Sequence, residues 1–176
     1  TQFHRTGPLI WGRQVDRTRS SEMRAKLVPD PIYSRVILHA GTAKGRRSYH
    51  FHVYETPDEY IAALQELILA VNDVPNTFLI IKFRPQHIAL ADLRALLPAS
   101  DSYTISVEEP FLDVLAISDL LVSFASTTIE EALLNRVPVL LYGGGGRYKH
   151  VDAVEATSDH LVKPSAVYHV REPAQL

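Results

Sequence analysis

Hydroxyl and acidic side chains follow a buried-strand pattern in the middle of the chain. Within residues 119–142, an apolar strand ends at Phe124 and a helix begins near Thr127. The first N–H groups of a helix have no partner inside it, and with the helix dipole they favour an anion. We therefore predict that Ser126, Thr127 and Thr128 add hydroxyl hydrogen bonds to a bound anion. The structural alternative is an ordinary helix cap.

Two further loops carry cations. Gly41 and Thr42 follow the first strand, where the backbone can approach a phosphate, and Lys44 supplies charge nearby. Arg84 follows the second strand, and its guanidinium can bind phosphate with two hydrogen bonds but cannot act as a general acid near pH 7. The structural alternatives are a solvated basic loop and a surface ion pair.

Several classes of site are excluded by residues and motifs that the sequence lacks. It contains no cysteine, no G-x-G-x-x-G or Walker motif and no G-x-S-x-G elbow. Its histidines have no convincing metal-ligand spacing, and we interpret His39, His87, His160 and His169 as structural or exposed. We therefore expect no metal site and no cofactor.

The composition is that of an ordinary globular domain. The 176 residues are 46% hydrophobic and 22% charged, with a net charge of −2. This charge gives no reason to expect nucleic acid as a partner, so an anion must be bound by a local arrangement of residues. No apolar run reaches the roughly 18–20 residues of a transmembrane segment. We expect a cytoplasmic protein, which in its full length could lie peripherally at the inner membrane face.

The elements that position these loops alternate between strand and helix. Because strands separated by helices form parallel sheets with right-handed crossovers, we predict an α/β fold with a doubly wound, Rossmann-like parallel sheet and helices on both faces. Ligands of such sheets bind beyond the carboxyl ends of the strands, where the loops above lie. The predicted strands are residues 34–40, 77–83, 103–107, 119–124 and 138–142, and the predicted helices are residues 56–72, 89–97, 112–117 and 127–135.

The two ends of the chain are less regular. Residues 1–31 are predicted to form an arm or interdomain linker with a short helix around residues 21–27, and residues 32–176 are predicted to form the Rossmann-like domain. After residue 146, only residues 160–163 and 166–170 have the composition of short strands. The final Pro-Ala-Gln-Leu resembles a helix start, so we expect the domain to be truncated at its C-terminus.

The central segment resembles the C-terminal, donor-binding domain of GT-B glycosyltransferases. In that superfamily a Ser/Thr-rich helix start precedes Glu-Ala, and a proline follows seven residues after the glutamate. Glu131-Ala132 and Pro138 have this spacing, and the block SDLLVS…STTIEEAL…PVLLYG is similar to that of bacterial surface-polysaccharide transferases. Lys82 and Pro85 match a Lys-x-His-Pro element of such enzymes, but Arg84 replaces the histidine.

The resemblance assigns roles to residues. It implies that Glu131 binds the ribose hydroxyls, while Glu130 supports the helix or faces solvent. It also implies that Ser126, Thr127 and Thr128 bind the diphosphate. Phe111, after the third strand, would contact the nucleobase, although a simple core position is the alternative. The four glycines 143–146 can bring the backbone close to a ligand or form a flexible loop. Residues that could reach the sugar donor or the acceptor are Arg47, Arg147, Tyr148 and His150.

The function implied is transfer of a sugar from a nucleotide-sugar to a surface-glycan acceptor, in polysaccharide, capsule or lipopolysaccharide biosynthesis. The catalytic base is unknown and is expected on an N-terminal Rossmann-like domain of the same or a partner chain, so we expect this fragment alone to be inactive. Two alternatives stay open. One is a non-catalytic nucleotide-binding subunit that pairs with a catalytic chain, and the other is a sugar-nucleotide epimerase or glycerophosphotransferase of the same fold.

Overall fold

Parallel strands organise the residues described by the computed structural model, which are 13–41, 55–86, 88–143, 151–156 and 164–176. Within these residues the strands are β1 (Arg35–Ala40), β2 (Thr77–Lys82), β3 (Tyr103–Ser106), β4 (Leu120–Ser123), β5 (Val139–Leu141), β6 (Val154–Glu155) and β7 (Val167–His169). They form one sheet in the order β3-β2-β1-β4-β5-β7-β6. Every neighbouring pair is parallel.

Helices connect the strands on both faces of the sheet. Those in the described residues are α1 (Ser20–Leu27), α2 (Pro57–Asp73), α3 (Leu90–Leu96), α4 (Phe111–Leu115) and α5 (Thr128–Leu134), with 3-10 turns at Arg17–Arg19 and Pro173–Gln175. The start of α2 is fixed locally, because the Thr56 hydroxyl accepts a hydrogen bond from the N–H of Glu59 and the Glu59 carboxylate accepts one from the N–H of Thr56. The predicted α/β class and doubly wound parallel sheet are confirmed.

Two hydrophobic cores lie on opposite faces of the sheet. Successive residues of a strand point to opposite faces, so Val36 and Leu38 of β1 pack with α1, α4 and α5. Leu79 and Ile81 of β2 pack on the other side with α2 and α3. Five of the six residues of β2 are buried, which accounts for its continuous apolar sequence.

The ends of the described chain contribute more structure than their composition indicates. Helix α1 lies within the predicted arm, yet it buries Met23 and Leu27 in the core shared with α4 and α5. The domain boundary at residue 31 stays a prediction. Strand β7 falls in the predicted strand 166–170, whereas the two-residue strand β6 was not predicted. The other predicted short strand, residues 160–163, lies outside the described residues.

The order of the strands reverses between β1 and β4. From β1 the chain builds outward through β2 to β3, and it then returns to the other side of β1 to form β4 and β5. Side chains of the β4 region fasten this junction at both ends. The Asp119 carboxylate accepts a hydrogen bond from the N–H of Val36 at 2.8 Å, and the Ser123 hydroxyl donates one to the carbonyl of Ala40 at 2.6 Å. A crevice at the carboxyl ends of the strands is expected at this point.

A buried histidine lies next to that reversal point. His39 of β1 is 6% exposed, its ring lies 5.9 Å from that of Tyr60, and neither ring nitrogen has a hydrogen-bond partner among the described residues. Burial lowers the pKa of His39 to about 4. The interpretation of this histidine as structural agrees with its packing.

We predict that His39 makes the stability of the domain depend on pH. The native imidazole stays neutral down to about pH 4, whereas the unfolded one takes up a proton near pH 6.5. Unfolding within this window therefore binds a proton, and stability falls as the pH is lowered. Between pH 7 and pH 5 this one group should reduce the unfolding free energy by about 2 kcal/mol.

Denaturant unfolding at both pH values, for the wild type and His39→Leu, measures the effect. The leucine variant should lose this part of the pH dependence, whatever its stability at pH 7. Equal changes in the two proteins between pH 7 and pH 5 would show that His39 does not titrate as its burial requires.

Candidate functional site

A cleft of about 540 Å³ lies at the reversal of strand order, beyond the carboxyl ends of β1, β2 and β3 and beside the start of α5. We call it the switch-point cleft. Its lining comprises Arg13, Ala40, Gly41, Lys82, Phe83, Arg84, Pro85, Val107, Glu109, Pro110, Phe111, Ser126, Thr127, Thr128 and Glu131.

The structure brings together the predicted nucleotide-binding residues that it describes. These come from four separate loops and helix starts, and they are Gly41, Arg84, Phe111, Ser126, Thr127, Thr128 and Glu131. The other predicted site residues lie outside the described residues, namely Thr42, Lys44, Arg47, Arg147, Tyr148 and His150. The role of each in binding stays a prediction.

The three hydroxyls at the start of α5 occupy different environments. The Ser126 hydroxyl accepts a hydrogen bond from the N–H of Thr128 at 3.3 Å and so takes part in the turn. Thr127 is exposed, and its side chain makes no capping hydrogen bond. The hydroxyl of Thr128 is shielded from solvent and has no partner among the described residues. The predicted hydroxyl cluster therefore separates into one capping group, one exposed group that a ligand could engage and one group that is shielded from solvent.

Glu131 lies one helical turn beyond Thr128, on the same face of α5. It is half-buried, and burial raises its pKa, whereas the positive charge of Arg13 lowers it and the negative charge of Glu130 raises it further. Glu130 is not part of the lining of the switch-point cleft. The geometry thus agrees with the expectation that only one of the two adjacent carboxylates faces the ligand.

Gly41 has a packing reason to be glycine. A Cβ atom at this position would lie 3.1 Å from Nε2 of His39 and 3.3 Å from a ring carbon of Tyr60. The backbone after β1 therefore packs closely over the buried His39–Tyr60 pair while its other side faces the switch-point cleft. Gly143, at φ +120°, adopts a left-handed backbone that favours glycine, but it does not line this cleft.

Two cations lie at the carboxyl end of β2. Nζ of Lys82 donates a 2.6 Å hydrogen bond to the carbonyl of Val107, which ties β2 to the chain after β3. Burial lowers the pKa of Lys82, and Glu109 opposes that shift. Arg84 is exposed, and in the described part of the chain it makes no ion pair. The described residues therefore contain no partner for the surface ion pair that the alternative interpretation of Arg84 requires.

Glu109 is neutralised by neighbours outside the cleft lining. Its carboxylate accepts a 2.5 Å hydrogen bond from the Ser106 hydroxyl and lies 3.1 Å from Nζ of Lys26 in α1. Both contacts lower its pKa, the Ser106 hydrogen bond most strongly. Phe111 begins α4 instead of lying in a loop, and it packs against the core while it lines the cleft. Its two predicted roles are therefore compatible.

The charge of the lining differs from that of the whole chain. Among the described lining residues, the cations are Arg13, Lys82 and Arg84, and the carboxylates are Glu109 and Glu131. Because Lys26 pairs with Glu109, the lining presents an excess of positive charge, although the chain as a whole carries −2. This is the local arrangement that an anionic ligand requires.

Sequence reasoning did not assign Arg13, Lys82 or Glu109 to the site. Lys82 had a usable signal, since it stands two residues before Arg84 at the end of a predicted strand. Arg13 had none, because it lies in a stretch without periodicity. Among the described residues, no group of three metal-ligating side chains is present, and no helix is long and apolar enough to cross a membrane.

Comparison with known proteins finds similarity to solved structures at low sequence identity. No family model and no curated protein matches the chain. The UDP-GlcNAc 2-epimerase of Neisseria meningitidis, bound to UDP-GlcNAc, superposes with a TM-score of 0.51 at 19% identity, over 70% of this chain and 32% of that one.

Two further structures superpose with lower scores. One is a variant of the wall teichoic acid polymerase TagF, with a TM-score of 0.48 at 16% identity over 72% of this chain and 29% of that one. The other is KpsC, a β-Kdo 2,7 transferase of Thermosulfurimonas dismutans, with a TM-score of 0.46 at 16% identity over 82% of this chain and 48% of that one. The chain thus spans less than half the length of each of these structures. By its strand order and its likeness to the epimerase, it has the fold of a Rossmann-like GT-B half-domain.

Proposed function

We propose that the switch-point cleft binds the nucleotide part of a nucleotide-sugar, and that the chain is the donor-binding domain of a GT-B glycosyltransferase that acts on a surface-glycan acceptor. The observation that carries this proposal is the convergence of the predicted residues in one cationic cleft at the strand-order reversal. The epimerase of similar fold holds a nucleotide-sugar, which supports the ligand class.

The lining offers a group for each part of a nucleotide. Glu131, half-buried in the first turn of α5, accepts hydrogen bonds from the ribose hydroxyls. The exposed side chains of Thr127 and Arg84, neither of them paired within the described residues, are available to the phosphates. Phe111 and the backbone around Val107 provide an apolar and hydrogen-bonding wall for the base.

The chemistry that this lining supports is electrostatic. Cations and hydroxyls placed beside a departing nucleoside diphosphate stabilise the negative charge that develops on it. As a guanidinium, Arg84 contributes charge and not proton transfer. We propose that no metal or other cofactor takes part, that a base from another domain deprotonates the acceptor, and that the reaction occurs in the cytoplasm.

A sugar-nucleotide epimerase is the second candidate, and the likeness in fold to UDP-GlcNAc 2-epimerase is the observation that favours it. An epimerase and a transferase share the nucleotide site but differ in the reaction that the bound sugar undergoes. Incubation of the full-length protein with UDP-GlcNAc, without an acceptor, separates them by NMR. Conversion to the 2-epimer would support the epimerase, and an unchanged sugar would favour the transferase.

Glu131 is predicted to contribute directly to nucleotide affinity. A thermal-shift panel of UDP, GDP, CDP, CMP and TDP should identify at least one nucleotide that raises the melting temperature of the wild-type chain. Glu131→Ala should weaken the binding of that nucleotide about 10- to 100-fold, because hydrogen bonds to a charged group contribute roughly 1.5–3 kcal/mol.

Glu130→Ala is the matched control, since it removes an adjacent carboxylate that does not line the switch-point cleft. It should leave the ligand-induced shift unchanged. If no nucleotide stabilises the wild type, the proposed function is wrong. If Glu131→Ala binds as the wild type does, the ribose assignment is wrong.

Arg84 is predicted to bind the phosphates. Arg84→Gln should weaken the binding of the nucleoside diphosphate about 10-fold, because a charge-assisted hydrogen bond is lost. It should leave the affinity for the parent nucleoside unchanged. Isothermal titration at low and high salt measures both affinities, and the variant should show the smaller salt dependence. Arg94→Gln, which removes an exposed arginine of α3 outside the cleft, is the control. Equal losses for nucleoside and diphosphate would contradict a phosphate role.

A further inference from the structure

The segment at residues 13–15 lies against the C-terminal end of α5, although it is 120 positions away in sequence. Asn135, which follows α5, makes this contact with its side-chain amide. Its Oδ1 atom accepts a 2.9 Å hydrogen bond from the N–H of Val15, and its Nδ2 atom donates to the carbonyl of Arg13 at 3.3 Å. One side chain thus binds the backbone on both sides of residue 14.

The same amide is fixed to the helix that carries Glu131. Nδ2 of Asn135 also donates a 2.8 Å hydrogen bond to the carbonyl of Glu131, and Asn135 itself is 8% exposed. Residues four apart share one face of a helix, so Glu131 and Asn135 lie along the same side of α5. The position of the 13–15 segment is therefore tied to the position of Glu131.

This attachment places the side chain of Arg13 in the lining of the switch-point cleft. Its charge lowers the pKa of Glu131, yet among the described residues Arg13 forms no ion pair. The guanidinium is thus near Glu131 without being neutralised by contact. In a nucleotide the first phosphate is attached to C5′ of the ribose, one sugar ring away from the hydroxyls at C2′ and C3′. A long arginine side chain that lines the same cleft as Glu131 is therefore suited to meet that phosphate when Glu131 binds the hydroxyls.

We propose that Arg13 is a further ligand-binding residue, which binds the phosphate attached to the ribose, and that Asn135 is the positioning residue that holds it there. The inference rests on the proposed function, because it requires a nucleotide in the switch-point cleft. It also gives the segment before α1 a role in the site, where a guanidinium provides two parallel donors to phosphate oxygens.

The direct test compares Arg13→Gln with Arg17→Gln, a control that removes an exposed arginine outside the cleft, in the 3-10 turn that follows the 13–15 segment. With the nucleoside monophosphate of whichever base binds the wild type, Arg13→Gln should weaken binding about 10-fold. Arg17→Gln should bind as the wild type does. The Asn135 contacts involve only the backbone of residue 13, so the substitution leaves them in place.

A second readout does not depend on any ligand. Carbon-13 NMR titration of the Glu131 carboxyl should show a higher pKa in Arg13→Gln, because the positive charge that lowers it has been removed. Asn135→Ala should raise the same pKa by releasing the segment. If Asn135 acts through Arg13, Asn135→Ala should cost no further affinity in the Arg13→Gln background.

The outcomes separate the inference from the proposed function. Absence of nucleotide binding by the wild type overturns the proposed function, and this inference with it. Wild-type binding that Arg13→Gln leaves unchanged overturns the inference alone. Additive losses from the two substitutions would overturn the positioning role of Asn135.

Discussion

The pairing of β4 with β1 is the constraint on which the site depends. Each strand alone is a short apolar segment, and their parallel register is fastened by the Asp119 carboxylate at one end and the Ser123 hydroxyl at the other. Both hydrogen bonds satisfy backbone groups of β1, which would be costly to leave unpaired in the interior. The chain leads from β1 to β2 on one side of this pair and from β4 to β5 on the other side. The two connections therefore diverge and leave a crevice between them.

That crevice concentrates positive charge in a chain whose net charge is negative. The cations at the end of β2 and on the segment before α1 are far apart in sequence, and the sheet edge brings them to one cleft. The carboxylates in the same cleft do not cancel them, because Lys26 already pairs with Glu109. Glu131 stays half-buried, and burial raises its pKa while the charge of Arg13 lowers it.

The hydrogen bonds around α5 connect the residues that line the switch-point cleft to the rest of the fold. Ser126 closes the turn at the start of this seven-residue helix. At the C-terminal end of the helix, Asn135 binds the backbone of the 13–15 segment. Glu131 lies between them and is linked through its own carbonyl to Asn135. A ligand that engages Glu131 and Arg13 together would therefore join two parts of the chain that the buried Asn135 amide also holds together.

Local sequence was sufficient to predict strands β1 to β5, the helices between them and the edge of the sheet where the switch-point cleft lies. Apolar runs and the capping box at Thr56 are local signals, and the rule for parallel sheets then pointed to the loops after β1, β2 and β4. The folded chain was needed to bring Arg13 into the same cleft as Glu131 and to separate the environments of the three hydroxyls. The position of Arg13 depends on contacts across more than a hundred residues, such as Asn135 with Val15, and such contacts leave no periodic pattern in a single sequence.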